Sequence, residues 1–329
     1  MRRREFIAGL GSVAAAAPLA VHAQQRERLR RLGLPMPWLE TEPLAPASVA
    51  AFKQELGRLG SVEGTNIRID YRFAKGDPAL IKEYAAELVG MSPDAILAST
   101  NDIIAALQQQ THTIPIVFAL VADPVGFGFV QSFAHPGGNI TGFNSYPEPM
   151  AGKWLQLLKE VAPSITRVAV IYSGDIARFA AFYNGIIEAA APSFGLTVVQ
   201  APVYDDAGIE ETLAAFASEP GGSVIALPNS FDTTHGSVII AAALRHGLPL
   251  LGTPDFPRRG GLLSYSLDLV ERHAQAAGYV DRILRGANPA DLPVQQPTKF
   301  SLIINFKTAR ALGLTVPPNM LDLADEVIE

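Results

Sequence analysis

A chain of 329 residues, 48% hydrophobic and 18% charged, is too long for one modest core and points to two lobes. Its net charge of −6, without long basic blocks, argues against nucleic acid as a partner, because phosphate binding needs clustered Lys and Arg. The absence of cysteine removes disulfides, a lipoprotein anchor, thiolate metal sites and a cysteine nucleophile together, so folding rests on core burial.

In chain order, Arg2-Arg3-Arg4 precedes an uncharged stretch from Phe6 to Gln25 with Ile7, Leu10, Val13 and Ala14 to Ala17, the layout of a signal peptide. Arg3-Arg4-Glu5-Phe6-Ile7 resembles a twin-arginine signal, and Val21-His22-Ala23 offers small residues for cleavage before Gln24. Residues 1–23 are therefore expected to be removed and the remainder exported to the periplasm. Gly9, Gly11, Ser12 and Pro18 weaken the apolar span of about 20 residues that a retained anchor requires, so no stable membrane insertion is expected after cleavage.

Leu32 to Met36 reads as a first strand, with Pro35 forcing it to an edge or to an early end because proline cannot donate to a ladder. A helix is expected from about Ser48 to Leu59. Strand Asn66–Phe73, helix Pro78–Gly90, strand Asp94–Ala98, helix Ile103–Gln110 and strand Ile116–Leu120 follow. Strands alternating with helices of this length indicate βαβ units and a parallel sheet. The same order restarts at Arg167. Gly64 to Thr100 and Gly195 to Asn229 share glycine, strand, acidic turn, amphipathic helix and buried strand, and two similar lobes follow from that internal likeness.

Between the halves, Pro136 to Phe143 brackets a β-prone piece with glycines, as expected for a crossover serving as a hinge, and the second lobe opens with a helix at Pro149–Val161. A second crossover is expected near Leu262–Ser266, then a helix Leu269–Arg285 burying a stripe of Val270, Ala274, Ala277, Val280 and Ile283-Leu284. A strand Phe300–Asn305, a short helix Lys307–Leu312 and a break at Pro317-Pro318 close the chain. The fold class is thus α/β, two Rossmann-like lobes with parallel sheets joined by crossover hinge strands. One lobe is drawn as 24–142 plus about 267–290, the other as 143–266 plus about 291–329.

Catalytic motifs are poorly supported. The six histidines are scattered and read as solvated or helix-end residues, and none forms a helical metal-ligand pair. Gly126-Phe127-Gly128 meets Gln131 where the dinucleotide fingerprint needs its third glycine. The phosphate-binding loop and the Gly-x-Ser-x-Gly elbow are absent from the sequence. No cofactor and no metal are expected, and no enzyme activity. Candidate ligand contacts are polar and aromatic residues at the carboxyl ends of the expected strands, where open α/β sheets bind ligands. They are Trp38, Ser99, Thr100, Asn101 and Asp123 in the first lobe and Tyr172, Asn229, Asp255 and Phe256 in the second, with Asn144 and Tyr265 at crossovers. Capping of the following helices is the competing role for Ser99, Thr100, Asp123 and Asn229. Hinge packing competes at Asn144 and Tyr265.

Leu32-Gly33-x-x-Met36-Pro37, Ile114-Pro115-Ile116-Val117-Phe118, Ala122-Asp123-Pro124-Val125-Gly126, Pro136 through Gly142 and Pro297-Thr298-Lys299-Phe300 onward resemble the TrpX-like family of ABC-transporter substrate-binding proteins. The resemblance covers almost the whole chain after the signal. It implies the class I periplasmic-binding-protein fold, with three crossovers and a cleft that closes on a small ligand such as an aromatic amino acid. It also implies Thr100, Asp123, Asn144 and Asn229 as cleft positions, and separate ABC permease and ATPase subunits as partners. A periplasmic sensor for a receptor kinase or chemoreceptor remains an alternative, as does an exported enzyme using Asp123 or Asp255 with His235.

Overall fold

The computed structural model describes residues 29–145, 147, 149–228 and 230–329. The expected signal peptide and Asn229 lie outside the described residues. The first half runs β1 (Arg30–Met36), α1 (Leu44–Arg58), β2 (Ile67–Phe73), α2 (Pro78–Gly90), β3 (Ala95–Ala98), α3 (Asn101–Gln110), β4 (Ile116–Val121) and β5 (Ile140–Asn144). These strands form one parallel sheet in the order β2-β1-β3-β4-β5. The chain continues through α4 (Pro149–Val161), β6 (Arg167–Ser173), α5 (Ala177–Ala190), β7 (Thr197–Val203), α6 (Asp206–Ala217), β8 (Gly222–Ala226), α7 (Ser230–Arg245), β9 (Leu250–Gly252) and β10 (Leu263–Ser266). It ends with α8 (Leu269–Leu284), β11 (Ser301–Asn305), α9 (Phe306–Ala311), α10 (Pro318–Leu323) and β12 (Glu326–Ile328).

The second sheet has the order β12-β11-β10-β9-β8-β6-β7, within which β7-β6-β8-β9-β10 repeats the order of the first. Its extension is the antiparallel β11, with β12 beside it. Central strands are buried on both faces, as in β3 (Ala-Ile-Leu-Ala) and β8 (Gly-Ser-Val-Ile-Ala), so they read as apolar runs rather than alternating ones. On the first sheet, α2 and α3 cover one face and α1 with α8 the other. On the second, α6 and α7 cover one face and α4 with α5 the other. The last helix on each sheet is therefore exchanged: α4 follows the first sheet yet covers the second, and α8 follows β10 yet covers the first.

Local chemistry sets the boundaries. Asp77 caps α2 by accepting from the N–H groups of Ala79 (2.7 Å) and Leu80 (3.3 Å), with Pro78 at the first helical position. Asp268 caps α8 in the same way through Val270 (2.9 Å) and Glu271 (3.0 Å). Gly142 sits at φ 151°, and a Cβ there would lie 2.0 Å from the Phe118 carbonyl oxygen, so only glycine lets β5 approach β4 at their register shift.

Four expectations change. Pro35 lies neither on an edge strand nor at an early end. Arg30 N–H bonds to Asn66 O and Ala74 N–H to Met36 O, so even-numbered residues of β1 face β2 and Pro35 faces β3, beyond the last β1–β3 pair at Gly33. Helix α1 begins at Leu44, earlier than Ser48. The segment Leu263–Ser266 is a strand inside the second sheet, and the chain crosses only after it. Strand β5 reaches Asn144 in the first sheet, and Leu292 and Val294 pack in that lobe's cores, beyond the drawn boundaries.

Candidate ligand cleft

The first edge of the cleft is built where β1, β3, β4 and β5 end. Trp38 is 5% exposed and packs its ring 5.6 Å from that of His273 on α8. Ser99, fully buried, has its Oγ 2.9 Å from His273 Nε2, while His273 Nδ1 lies 2.7 Å from the Leu269 carbonyl. A carbonyl can only accept, so Nδ1 carries the proton and Nε2 accepts from the Ser99 hydroxyl. Burial lowers the His273 pKa to about 4, so the ring stays neutral at physiological pH. Ser99 thus docks α8 onto β3. Thr100 precedes α3 without a side-chain cap bond, and its hydroxyl donates instead to the Asp102 carboxylate. Burial pushes the Asp102 carboxyl above the ordinary aspartate range, against the bonds from Thr100 and the Ile103 N–H.

Asn101 and Asp123 shape backbone. Asn101 grips Ala122 from both sides, Nδ2 donating to its carbonyl (2.8 Å) and Oδ1 accepting from its N–H (3.0 Å), which fixes the end of β4 to α3. Asp123 follows at φ 42°, a left-handed conformation that aspartate tolerates, and its Oδ1 accepts from Gly126 N–H at 2.9 Å. A Cβ on residue 126 would lie 1.9 Å from Asp123 Oδ2, which explains the glycine in Asp-Pro-Val-Gly. The expected cap exists as a turn, with no helix after it.

Asn144, 3% exposed, is a knot at the end of β5. Its N–H donates to Gln295 O and its Nδ2 to Gln296 Oε1, both at 2.8 Å, tying two crossovers together. Its carbonyl accepts from Arg272 Nη2 on α8 at 2.8 Å. Arg272 is 6% exposed, lies 5.6 Å over the Phe143 ring and donates to Gln275 Oε1 at 3.0 Å. Burial brings its pKa down to about 10.

On the second edge, Tyr172 ends β6 at 7% exposure with its hydroxyl 3.3 Å from Gln200 Oε1. Tyr265 is half-buried and stacks on Phe300 at 5.7 Å, and its carbonyl accepts from Trp154 Nε1 at 2.8 Å. Asp255 is exposed and pairs with Arg259 at 3.4 Å. Phe256 is 0% exposed, with its ring against Gly252 and Gly236, and so contributes packing rather than a cleft wall. Burial pushes up the carboxyl of Glu42, in the loop after β1; a backbone bond at Leu39 and the Arg259 charge oppose that shift, and the Asp255 charge adds to it. Among the described residues no group of three or more His, Asp or Glu side chains is placed to hold a metal.

Against known proteins, residues 42–328 match the model of a family described as ABC transporter substrate binding protein. The chain belongs to that family. A tyrosine-binding protein of Clostridioides difficile is 23% identical over 278 residues, covering 84% of this chain and 79% of the relative. A conserved domain protein from Vibrio cholerae has a solved structure at TM-score 0.84 and 28% identity, covering 91% of this chain and all of the other. An ABC domain in complex with L-Trp from Streptococcus pneumoniae also gives 0.84, at 22% identity and 92% coverage of this chain. These likenesses agree with the class I periplasmic-binding-protein architecture of the two sheets.

For a substrate-binding protein, the edges hold residues that sequence reasoning passed over: Glu42, Asp102, Arg272, His273 and Gln296. His273 is not solvated, being 1% exposed, and His235 has Asp206 at 2.6 Å rather than Asp255 as its partner. The available signal was on α8. Its buried residues are Arg272, His273, Ala276, Ala277, Tyr279, Val280, Asp281, Ile283 and Leu284, so Arg272, His273 and Asp281 interrupt an otherwise largely apolar stripe. Val270 and Ala274 of the expected stripe are only partly buried.

Proposed function

We propose that this chain is the solute-binding component of an ABC importer, exported to the periplasm, and that it closes on an aromatic amino acid between its lobes without turning it over. Family membership, together with polar strand-end edges on both sheets and the Asn144–Gln296 bond between connecting segments, supports the reading. A tyrosine-binding relative and a relative holding L-Trp supply the ligand class. We draw the lobes along the two sheets, so that the connections after Asn144, after Ser266 and before Ser301 are the three crossovers. Trp38, Ser99, Thr100, Asn101, Asp123, Asn144, Tyr172, Asn229, Asp255 and Tyr265 remain the candidate residues around the ligand. Several act through the backbone they hold rather than by direct contact. Residues 1–23 serve as the export signal, and a permease and an ATPase are the partners. Among the described residues no helix is long and apolar enough to cross a membrane.

Closure follows from differential affinity, since a ligand shifts the open–closed equilibrium only by binding the closed form better. The test is thermal unfolding of residues 24–329, refolded to strip bound ligand, with L-Tyr, L-Trp, nucleobases and sugars. A ligand at about 100 times its dissociation constant adds about 2.7 kcal/mol, several degrees for a protein of this size. Stabilisation by an aromatic amino acid supports the proposal. Stabilisation by sugars alone, or turnover of the ligand, removes it.

A further inference from the structure

Arg272 is buried at 6% exposure, and no carboxylate among the described residues bonds it directly, although the Glu271 charge favours its ionised form. Among the described residues its guanidinium forms no ion pair, and its bonds go to the Asn144 carbonyl and Gln275 Oε1. The nearby Glu271 is engaged with Gln275 Nε2 at 3.0 Å. Guanidinium has five N–H donors, so donors remain uncommitted. Removing a charge from water without a counter-charge is costly, and a protein tolerates it where an anion is to arrive. The cation remains charged at neutral pH despite burial. Beside it, Asn144 Oδ1 is buried and accepts from no group among the described residues, although every other polar atom of that residue is bonded.

Position gives the pair its meaning. Asn144 ends β5 and Arg272 stands in the first turns of α8. The Ser145 N–H bonds to Val121 O at 2.8 Å and Ser99 bonds to His273, so the pair shares the edge formed by the ends of β3 and β4. A spare cation next to a spare acceptor complements a group carrying an anion and a donor on adjacent atoms. We infer that Arg272 and Asn144 form the subsite for the α-carboxylate and α-ammonium of an amino-acid ligand, Arg272 taking the carboxylate and Asn144 Oδ1 the ammonium. This rests on the amino-acid reading above and adds to it which residues read the backbone of the ligand, leaving side-chain selection to the opposite lobe. It also makes hinge and ligand one network, because the Asn144 amide holds Gln296 while its oxygen holds the ligand.

The test is calorimetric titration of L-Trp, L-tryptophanamide and indole-3-propionate into stripped wild type, Arg272→Gln and Arg272→Lys. Wild type should bind the amide, which lacks the carboxylate charge, and the propionate, which lacks the ammonium, about 100-fold more weakly than L-Trp, the scale of losing one partner of a buried charged pair. Arg272→Gln should weaken L-Trp by a similar factor and leave the amide nearly unchanged, bringing the acid-to-amide ratio close to one. Arg272→Lys, which keeps the charge and the aliphatic stem, should fall between, and it carries the test if Arg272→Gln does not fold. Equal weakening of acid and amide by either variant overturns the inference and makes Arg272 a hinge pin. If neither L-Trp nor L-Tyr binds wild type, the amino-acid reading fails on its own. The subsite is then read by melting temperature in acetate against acetamide at matched ionic strength. Acetate should raise wild type and not Arg272→Gln, and an equal response in both proteins overturns the subsite.

Discussion

Helices α4 and α8 occupy equivalent places on the two sheets, yet their buried faces differ. Helix α4 buries Met150, Ala151, Trp154, Leu155, Leu157, Leu158 and Val161, an apolar face from which Trp154 Nε1 reaches to Tyr265 O. Helix α8 buries Arg272 and His273 in the same kind of contact and satisfies them through Asn144, Ser99 and Leu269. The same architectural slot is thus filled by apolar packing on one sheet and by a polar network on the other. Packing holds a helix wherever shapes fit, whereas hydrogen bonds hold it in one register and make that register sensitive to protonation.

The comparison breaks most visibly at Trp154. Trp154→Ala should cost about 3–5 kcal/mol through cavity formation and leave the Tyr265 carbonyl without its donor, read as a drop in urea midpoint at unchanged slope. On α8 the next largest effect is in pH. The folded His273 pKa of about 4 lies below the unfolded 6.5, so unfolded chains bind a proton that folded ones refuse between those values. Stability should therefore be full above pH 6.5 and fall by about 3 kcal/mol as pH drops to about 4. His273→Leu should remove that slope, shown by comparing urea midpoints of the two proteins across the window, and α4 variants should leave it intact.

Smaller effects sharpen the contrast. Asp268→Ala removes the cap of α8 and should cost about 1 kcal/mol by thermal melt. The sheet edges give the least. Edge β2 carries Arg72 paired with Glu87, whereas the matching edge β7 has an exposed Val199 and a Pro202 that denies a ladder donor. Arg72→Gln should change stability by less than about 1 kcal/mol, because the pair is partly solvated.

How much of this was legible depends on sequence distance. Helix α2 was read to its residue limits because Asp77-Pro78 and the spacing of Ile81, Ala85 and Leu88 lie within one short segment. The repeat of strand order was legible because turn and strand signals recur in the same sequence. The role of His273 was not, since its partner Ser99 is 174 residues away and a lone histidine in a helix gives no sign of burial. Phe256 failed as a wall for the same reason, its site being defined by Gly236 and Gly252 on other elements. Asn144 was found as a crossover residue, but its tie to Arg272 and Gln296 needed the folded chain.

The exchange of α4 and α8 also bears on how the molecule is made. The first sheet is complete once Asn144 has been synthesised, but the face that carries Leu97, Val117 and Ala119 awaits α8, which ends at Leu284. Domains emerging from the ribosome usually fold from the N-terminus onward as units, and bare apolar faces invite aggregation while they wait. Here the N-terminal unit cannot close early, so it must stay open until the five parallel strands of the second sheet, β6 to β10, and then α8 have also been made. A chain stopped short of Leu269 would retain every strand of the first sheet and lack the helix that covers it.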